Sequence, residues 1–209
     1  CCLSSLNLEY FDEWSKDKGF LKDILEMLDN TLSKFIEDAP DSISRAKYSA
    51  MRERSVGVGA LGFHAYLQKK GMPFESAVAK SANMRMFRHI RSGLDSANLE
   101  LGRERGEAPD AKGTGLRCSH VMAIAPNASS SIIMGNTSPS IEPWRANAYR
   151  QDTLSGSFLN KNKFLDKLIK DKCEENTTLN YERIWSSIIA NDGSVQHLRC
   201  LDDQEKEIY

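Results

Sequence analysis

The segment from Ala125 to Trp144, APNASSSIIMGNTSPSIEPW, constrains the fold of this chain most strongly. An apolar run, HVMAIA at residues 120–125, precedes it and is bounded by Pro126, which is typical of a buried strand. Three consecutive serines follow, and then the apolar residues 132–134. This order predicts a strand, a polar turn and a short helix.

The polar turn after this strand is suited to binding a phosphate group. Backbone N–H groups at the start of a helix are unpaired and carry the positive end of its dipole, and the hydroxyls of Ser129, Ser130 and Ser131 can add donors. The same serines, with Asn127, could instead only cap a surface helix, and spacing leaves both interpretations open. The sequence lacks GxxxxGK[ST] and GxGxxG, so it does not support a nucleoside triphosphatase or a Rossmann protein.

Helical periodicity dominates the rest of the sequence. Helices are predicted within Tyr10–Ile36, Asp41–Arg52, Phe63–Lys70, Glu75–Arg105, Lys161–Lys172 and Tyr181–Ala190. Strands are predicted for the opening CCLSSLNL and within Ala148–Phe158. In SVGVGALG, Gly57 and Gly59 are interpreted as residues of a bend or of helix packing. The expected fold class is therefore α/β and rich in helix.

Charge and cysteine content exclude several classes of protein. Lys and Arg total 28 against 29 for Asp and Glu, so the net charge of -1 gives no reason to expect binding to nucleic acid or to an anionic membrane. No apolar run approaches the roughly 20 residues of a transmembrane helix. The cysteines form no CxxC pair and have no histidine at metal-ligand spacing, so neither a metal site nor a disulfide framework is expected. A cytoplasmic protein with reduced thiols is predicted.

Both ends of the sequence suggest a piece of a longer protein. The chain begins inside a strand-like run, and its end, CLDDQEKEIY, has the composition of an acidic helix without a stop signal. A truncation, a split gene or an intein product would each give such ends.

Three segments carry a resemblance to a known family. The opening CCLSSLNL resembles the CxLSxxNL-type motif of ribonucleotide reductase large subunits, and IAPNASSSIIMGNTSPSIEP resembles their PxxxSS…N…IEP substrate loop. Between them, RERSVGVGALGFHAYLQKKG is similar to the family segment RRxxGxGxxxxxxYLxxxG. The tail YRQDTLSGSFLNKNKFL is more like class I enzymes than cobalamin-dependent ones. The chain therefore resembles a barrel piece of a class I large (catalytic) subunit of phage or bacterial type.

The resemblance implies a fold and a set of site residues. The chain would form part of the ten-stranded α/β barrel, with a strand and helices in residues 1–106 and the substrate loop in residues 107–209. Cys1 would be one half of the redox disulfide, whereas the family does not require a thiol at Cys2. The substrate diphosphate would be held by a loop of five residues, with the hydroxyls of the two serines as its side-chain donors. These loop residues are Pro126, Asn127, Ala128, Ser129 and Ser130.

Two further positions complete this comparison. Ala128 stands where some family members have an acidic residue, so its backbone amide can still donate but side-chain contacts must differ. Glu142 and Pro143 match the IEP element and are interpreted as loop architecture rather than as catalytic residues.

The implied activity is the reduction of ribonucleoside diphosphates to 2′-deoxyribonucleotides for DNA synthesis by thiyl-radical chemistry. The radical-bearing cysteine, the disulfide partner and the radical-relaying tyrosines would lie outside this sequence. Expected partners are the remaining large-subunit segments, a small subunit with a tyrosyl radical and dimetal centre, and thioredoxin or glutaredoxin. No cofactor or metal is expected in this chain, which should be inactive alone. A non-catalytic helical interaction module with the same fold, or a piece of a cobalamin-dependent reductase, are the alternatives.

Overall fold

The computed structural model describes residues 2–153 and 156–209, which form two compact units. The first unit contains the chain up to Phe63 together with Ser81–Ile141, and the second contains His64–Lys80 and Glu142–Tyr209. The elements in chain order are β1 (Cys2–Asn7), α1 (Phe11–Trp14), α2 (Phe20–Asp38), α3 (Ser44–Glu53), β2 (Val56–Leu61), α4 (Phe63–Lys69), α5 (Ala77–Arg105), α6 (Ser130–Ile133), β3 (Ala148–Thr153), β4 (Gly156–Lys161), α7 (Lys163–Glu175), α8 (Tyr181–Ala190) and α9 (Asp203–Ile208).

The first unit is built around parallel strands. β1 pairs with β2 in parallel, in a register that joins Cys2 to Val56 and Asn7 to Leu61. The helices between them form the crossover that a parallel pair requires. On the other side of β2, residues 120–123 run alongside as an extended segment. The two are joined by a hydrogen bond in which the N–H of Val58 in β2 donates to the Val121 carbonyl oxygen at 2.8 Å. All six residues of β2 are buried, as expected for a strand enclosed on both sides.

Gly57 and Gly59 allow the 120–123 segment to lie against β2. A Cβ atom on Gly57 would lie 2.5 Å from Leu3 Cδ2 and 2.7 Å from Ala123 Cβ. A Cβ atom on Gly59 would overlap the Ala123 carbonyl oxygen. The interpretation of these glycines as residues of a bend or of helix packing is therefore wrong, because they are strand residues whose missing side chains permit close backbone approach.

Other predicted boundaries also differ from the observed ones. The helix predicted within Tyr10–Ile36 is divided into α1 and α2, and the connection contains a turn in which the Gly19 N–H donates to Asp17 Oδ1 at 2.9 Å. The strand predicted within Ala148–Phe158 is an antiparallel hairpin of β3 and β4, and Leu154 and Ser155 lie outside the described residues. The long helix α5 ends as predicted, because Gly106 adopts a φ of +86°.

A buried carboxylate connects several elements of the first unit. Asp29 on α2 is fully buried and contacts Arg54 at 2.6 Å, Arg105 at 3.0 Å and Arg117 at 3.1 Å. Burial raises the pKa of the Asp29 carboxyl, but the hydrogen bonds and charges of the arginines outweigh it and hold the pKa below its usual value. The cluster ties α2 to Arg54 directly after α3, to the end of α5 and to the segment before residue 120.

Asn98 on α5 fixes the entry to the extended segment 120–123. Its side-chain amide donates to the Cys118 carbonyl oxygen at 2.9 Å and accepts from the Cys118 N–H at 2.8 Å. Cys118 is fully buried, and burial raises the pKa of its thiol to about 12. This thiol is therefore a structural group that is not available as a thiolate near neutral pH.

The second unit packs α7 and α8 around its own apolar cluster. This cluster consists of Ala148, Leu165, Ile169, Ile184, Trp185, Ile188, Val195, Leu198 and Leu201. The helix predicted from Lys161 begins two residues later, because the Asn162 side chain accepts from the N–H groups of Phe164 and Leu165 and acts as its N-cap. α8 has the predicted bounds, and the Asn180 side chain caps it.

Within residues 2–153 and 156–209, we found no helix with the length and apolar character needed to cross a membrane.

The close approach at β2 gives the first prediction. Gly59→Ala should lower the free energy of unfolding of the full-length protein by about 1–3 kcal/mol, because the added methyl group overpacks the backbone at Ala123. Urea denaturation followed by tryptophan fluorescence measures this change. Gly19→Ala is the matched control, since the nearest atom to its Cβ would be Asp17 Oδ1 at 3.5 Å. Equal stability of the two variants would contradict the proposed role of Gly59.

Candidate functional site

The candidate site lies where the parallel strands of the first unit end. Asn7 ends β1, Gly62 follows β2, and the loop at residues 126–130 follows the extended segment 120–123. The carboxyl ends of parallel strands meet at one edge of a sheet, and this edge is where open α/β sheets bind ligands. The predicted phosphate loop therefore lies at the edge of the sheet where this type of fold favours ligand binding.

Gly62 brings the end of β2 close to its neighbours. It has a φ of +80°, and its N–H donates to the Ser138 carbonyl oxygen at 2.7 Å. A Cβ atom there would lie 2.5 Å from Asn7 Oδ1 and 2.8 Å from Thr137 Oγ1. Only glycine fits this backbone conformation and this space without strain. The end of β2 is thus packed tightly against β1 and the segment after α6.

Asn127 supports the loop from within. Its φ is +54°, in the left-handed region that Asn tolerates better than most residues. Its side-chain amide donates to the Ala60 carbonyl oxygen at 3.1 Å and to the Ala125 carbonyl oxygen at 2.9 Å. Both donors of Asn127 are therefore used to anchor the loop to the end of β2. The Asn127 Nδ2 group is an anchor in this structure rather than a free ligand donor.

The next three residues present their donors to solvent. Ala128, Ser129 and Ser130 are exposed, and within the described residues neither their backbone N–H groups nor the two serine hydroxyls have an acceptor. Ser131 differs, because it is buried and its hydroxyl donates to the Ala128 carbonyl oxygen at 3.1 Å. The structure thus separates two outward-facing serines from one that stabilises the turn.

This arrangement can bind an anion. Three adjacent N–H groups and two hydroxyls supply a set of local donors, which is the kind of donor set that phosphate-binding turns use. α6 has only four residues, so these local groups would contribute more than a helix dipole. Apolar side chains that offer no donors flank the loop. They are Ile124, Ile132, Ile133 and Met134, all of which are exposed.

The sequence alone gave no indication of two buried polar groups near this edge. Thr137 is almost fully buried, and its Oγ1 atom has no hydrogen-bond partner within the described residues. The Oδ1 atom of Asn136 is also buried and also lacks a hydrogen-bond partner within the described residues, and Asn136 has a φ of +51°. The small polar residues of GNTSPS predicted only a loop. Contacts with Gly62 determine which of these residues point inward, and the sequence does not show those contacts.

Glu142 and Pro143 belong to the second unit, where both are exposed. The next residue, Trp144, donates its backbone N–H to His64 Nδ1 at 3.0 Å. Burial lowers the pKa of His64 to about 4, so its ring is neutral and can accept this bond. The contact orders the backbone after Pro143, consistent with the interpretation of Glu142 and Pro143 as loop architecture.

Cys1, the predicted redox cysteine, lies outside the described residues, so its role stays a prediction. Among residues 2–153 and 156–209, no three histidine, cysteine or acidic side chains come together in a way that could hold a metal ion.

The fold and the site together define an α/β protein with a turn of exposed hydrogen-bond donors at the carboxyl edge of its parallel strands. Comparison with known proteins identifies its family. The model of the ribonucleotide reductase barrel domain matches residues 1–114 and 108–209. The chain therefore belongs to the ribonucleotide reductase barrel-domain family, and the predicted family and helix-rich α/β fold class are confirmed.

Individual relatives agree with this assignment. The ribonucleoside-diphosphate reductase large subunits of Invertebrate iridescent viruses 6 and 3 are each 55% identical over the whole chain, which spans 22% and 33% of their lengths. The Actinobacillus ureae class Id ribonucleotide reductase alpha subunit is 41% identical, with a TM-score of 0.89. The match covers all of this chain and 38% of that one. The chain thus spans between about a fifth and two fifths of these proteins.

The anchoring role of Asn127 gives the second prediction. Asn127→Ala removes two hydrogen bonds and strains the left-handed backbone, so amide hydrogen exchange in residues 126–134 of the full-length protein should become faster. Mass spectrometry of peptides from this region measures the rate. Asn127→Gly also removes the two side-chain hydrogen bonds but does not strain the left-handed backbone. Comparison of the two variants therefore separates the effect of the hydrogen bonds from that of backbone strain. Exchange unchanged in both variants would contradict the anchoring role.

Proposed function

We propose that this chain forms part of the catalytic subunit of a ribonucleoside-diphosphate reductase and that it holds the diphosphate of the substrate. The observation that carries this proposal is the exposed, unpaired donor set of Ala128, Ser129 and Ser130 within a chain of this family. A diphosphate offers several acceptor oxygens, which adjacent N–H groups and hydroxyls can bind together. The names of the viral relatives support the same substrate class.

Ala128 determines how this loop would contact the substrate. Its side chain has neither charge nor hydrogen-bonding atoms, so its contribution is limited to the backbone N–H. An acidic residue at this position would place a negative charge beside a negatively charged diphosphate unless it were protonated or paired. Binding by this chain would therefore depend on backbone amides and on the hydroxyls of Ser129 and Ser130.

In the proposed reaction, Cys1 acts with a second cysteine from outside this sequence. The two thiols supply two electrons and two protons, the 2′-hydroxyl of the ribose leaves as water, and the cysteines become joined in a disulfide. A separate cysteine, oxidised to a thiyl radical, removes the hydrogen atom from C3′ at the start and returns it to C3′ at the end, so that the thiyl radical is regenerated. This chain supplies one of the reducing thiols and the phosphate loop, and the radical chemistry requires residues elsewhere.

The proposal includes the partners that this chemistry requires. A small subunit with a tyrosyl radical and dimetal centre would generate the radical, and thioredoxin or glutaredoxin would reduce the disulfide after each turnover. The remaining large-subunit segments would complete the active site, so the isolated chain should be inactive. The cytoplasm, with its reducing thiols, is the proposed location.

Substitution of the two exposed serines tests the function directly. In the full-length large subunit, Ser129→Ala and Ser130→Ala should each weaken nucleoside diphosphate binding roughly tenfold, because a hydrogen bond to a charged group contributes about 1.5–3 kcal/mol. Titration calorimetry measures the dissociation constant. Ser42→Ala is the matched control, since Ser42 is an exposed serine of the first unit that lies between α2 and α3 and is not one of the loop residues.

The double variant distinguishes the proposal from its alternative. Loss of affinity in Ser129→Ala/Ser130→Ala, with affinity retained in the control, supports a substrate loop. Affinity equal to that of the unsubstituted protein would instead favour a helical interaction module that keeps the family fold without binding substrate through these residues.

A further inference from the structure

Two cysteines of the second unit, Cys173 and Cys200, are not used by the proposed function. Cys173 lies in the last turn of α7, and Cys200 lies in the turn before α9. Both are half-buried free thiols, and both pack against the same apolar cluster. Cys173 follows Ile169 by four residues and so shares its buried helix face, while Cys200 directly precedes the buried Leu201.

A partly buried ion pair holds the two segments together. Lys172 Nζ contacts Glu205 Oε1 at 2.9 Å, and the two side chains are 25% and 19% exposed. Glu205 is also part of the capping box that begins α9 with Asp202. The residue before Cys173 is thus tied to the helix that begins shortly after Cys200.

The surroundings of Cys200 favour its neutral thiol form. Burial raises the pKa of the Cys200 thiol, and negative charge on Cys173 and Glu205 raises it further, while Lys172 opposes this effect. Cys200 is therefore a poor initial nucleophile.

We propose that Cys173 and Cys200 are a thiol pair that forms a reversible intramolecular disulfide with a small-molecule disulfide, such as oxidised glutathione, as the oxidant. The Cys173 thiolate attacks one sulfur of the oxidant, which forms a mixed disulfide and releases one thiol. The Cys200 thiolate then attacks the Cys173 sulfur and releases the second thiol. The two protons lost by the cysteines are taken up by the two released thiolates, so two protein thiols are oxidised and one disulfide is reduced.

The disulfide would enclose residues 173–200, which contain all of α8 and the fully buried Trp185. A covalent link of this kind restricts the unfolded chain and so stabilises the segment that it closes. The oxidised second unit should therefore unfold at a higher temperature than the reduced one. This inference is independent of substrate binding by the phosphate loop.

Peptide mapping of the full-length protein tests the pair. The protein is incubated with oxidised glutathione, blocked with N-ethylmaleimide and digested with trypsin without reduction. Cleavage at Lys172, Arg183, Arg199 and Lys206 places the two cysteines in separate peptides, residues 173–183 and 200–206. The expected product is these two peptides joined, with the mass of the sum minus two hydrogen atoms, and it should disappear on reduction.

Three variants make the result specific. Cys173→Ala and Cys200→Ala should abolish the joined peptide and the rise in melting temperature on oxidation. Cys2→Ala, a control at another half-buried cysteine, should leave both unchanged. The proposal is overturned if excess oxidised glutathione leaves Cys173 and Cys200 as free thiols or separate glutathione adducts, or if either cysteine links to a different one.

Discussion

The close approach of residues 120–123 to β2 is the constraint on which the candidate site depends. It requires glycine at positions 57 and 59, because a side chain at either would collide with Ala123. The predicted phosphate loop is separated from the end of this segment by only two residues, so the path of the segment sets the position of the loop. Asn127 then fixes the loop to the Ala60 carbonyl oxygen at the end of the same strand. The packing at Gly57 and Gly59 therefore helps to determine, through β2 and the segment beside it, where the solvent-facing donors of the loop lie.

Buried polar contacts determine where the segment begins. Asn98 pairs with both backbone polar groups of Cys118, and Arg117 contacts Asp29 together with two other arginines. Removing a partner from such a cluster leaves a buried charge or polar group unsatisfied, so these contacts favour one backbone path over its alternatives. The apolar core supplies most of the stabilisation, while these polar contacts specify the register of the segment that leads to the site.

The sequence predicted the helices and the phosphate turn because their signals are local. Periodicity identified α5 and α8, and the change from an apolar run to three serines identified the loop. β2 was missed because its sequence, VGVGAL, is buried throughout and has no polar alternation, and because glycine usually indicates a turn. The reason for its glycines lies at Ala123, more than sixty positions along the chain. One local signal was overlooked, since Asn162 is a readable N-cap for α7.

The same distinction applies within the site. The sequence identified a set of small polar residues but could not show which of them face inward. In the structure, the side chains of Asn127 and Ser131 stabilise the turn, and Ser129 and Ser130 remain exposed. That division depends on the left-handed backbone at Asn127 and on the position of Ala60, neither of which a sequence pattern specifies.

The central claim is that the donors after Asn127 hold the diphosphate of the substrate. A crystal structure of the full-length protein with a bound ribonucleoside diphosphate tests it most directly. Phosphate oxygens are expected at about 2.7–3.2 Å from the backbone nitrogens of Ala128, Ser129 and Ser130. A diphosphate bound elsewhere in the active site, with these N–H groups facing only water, would contradict it.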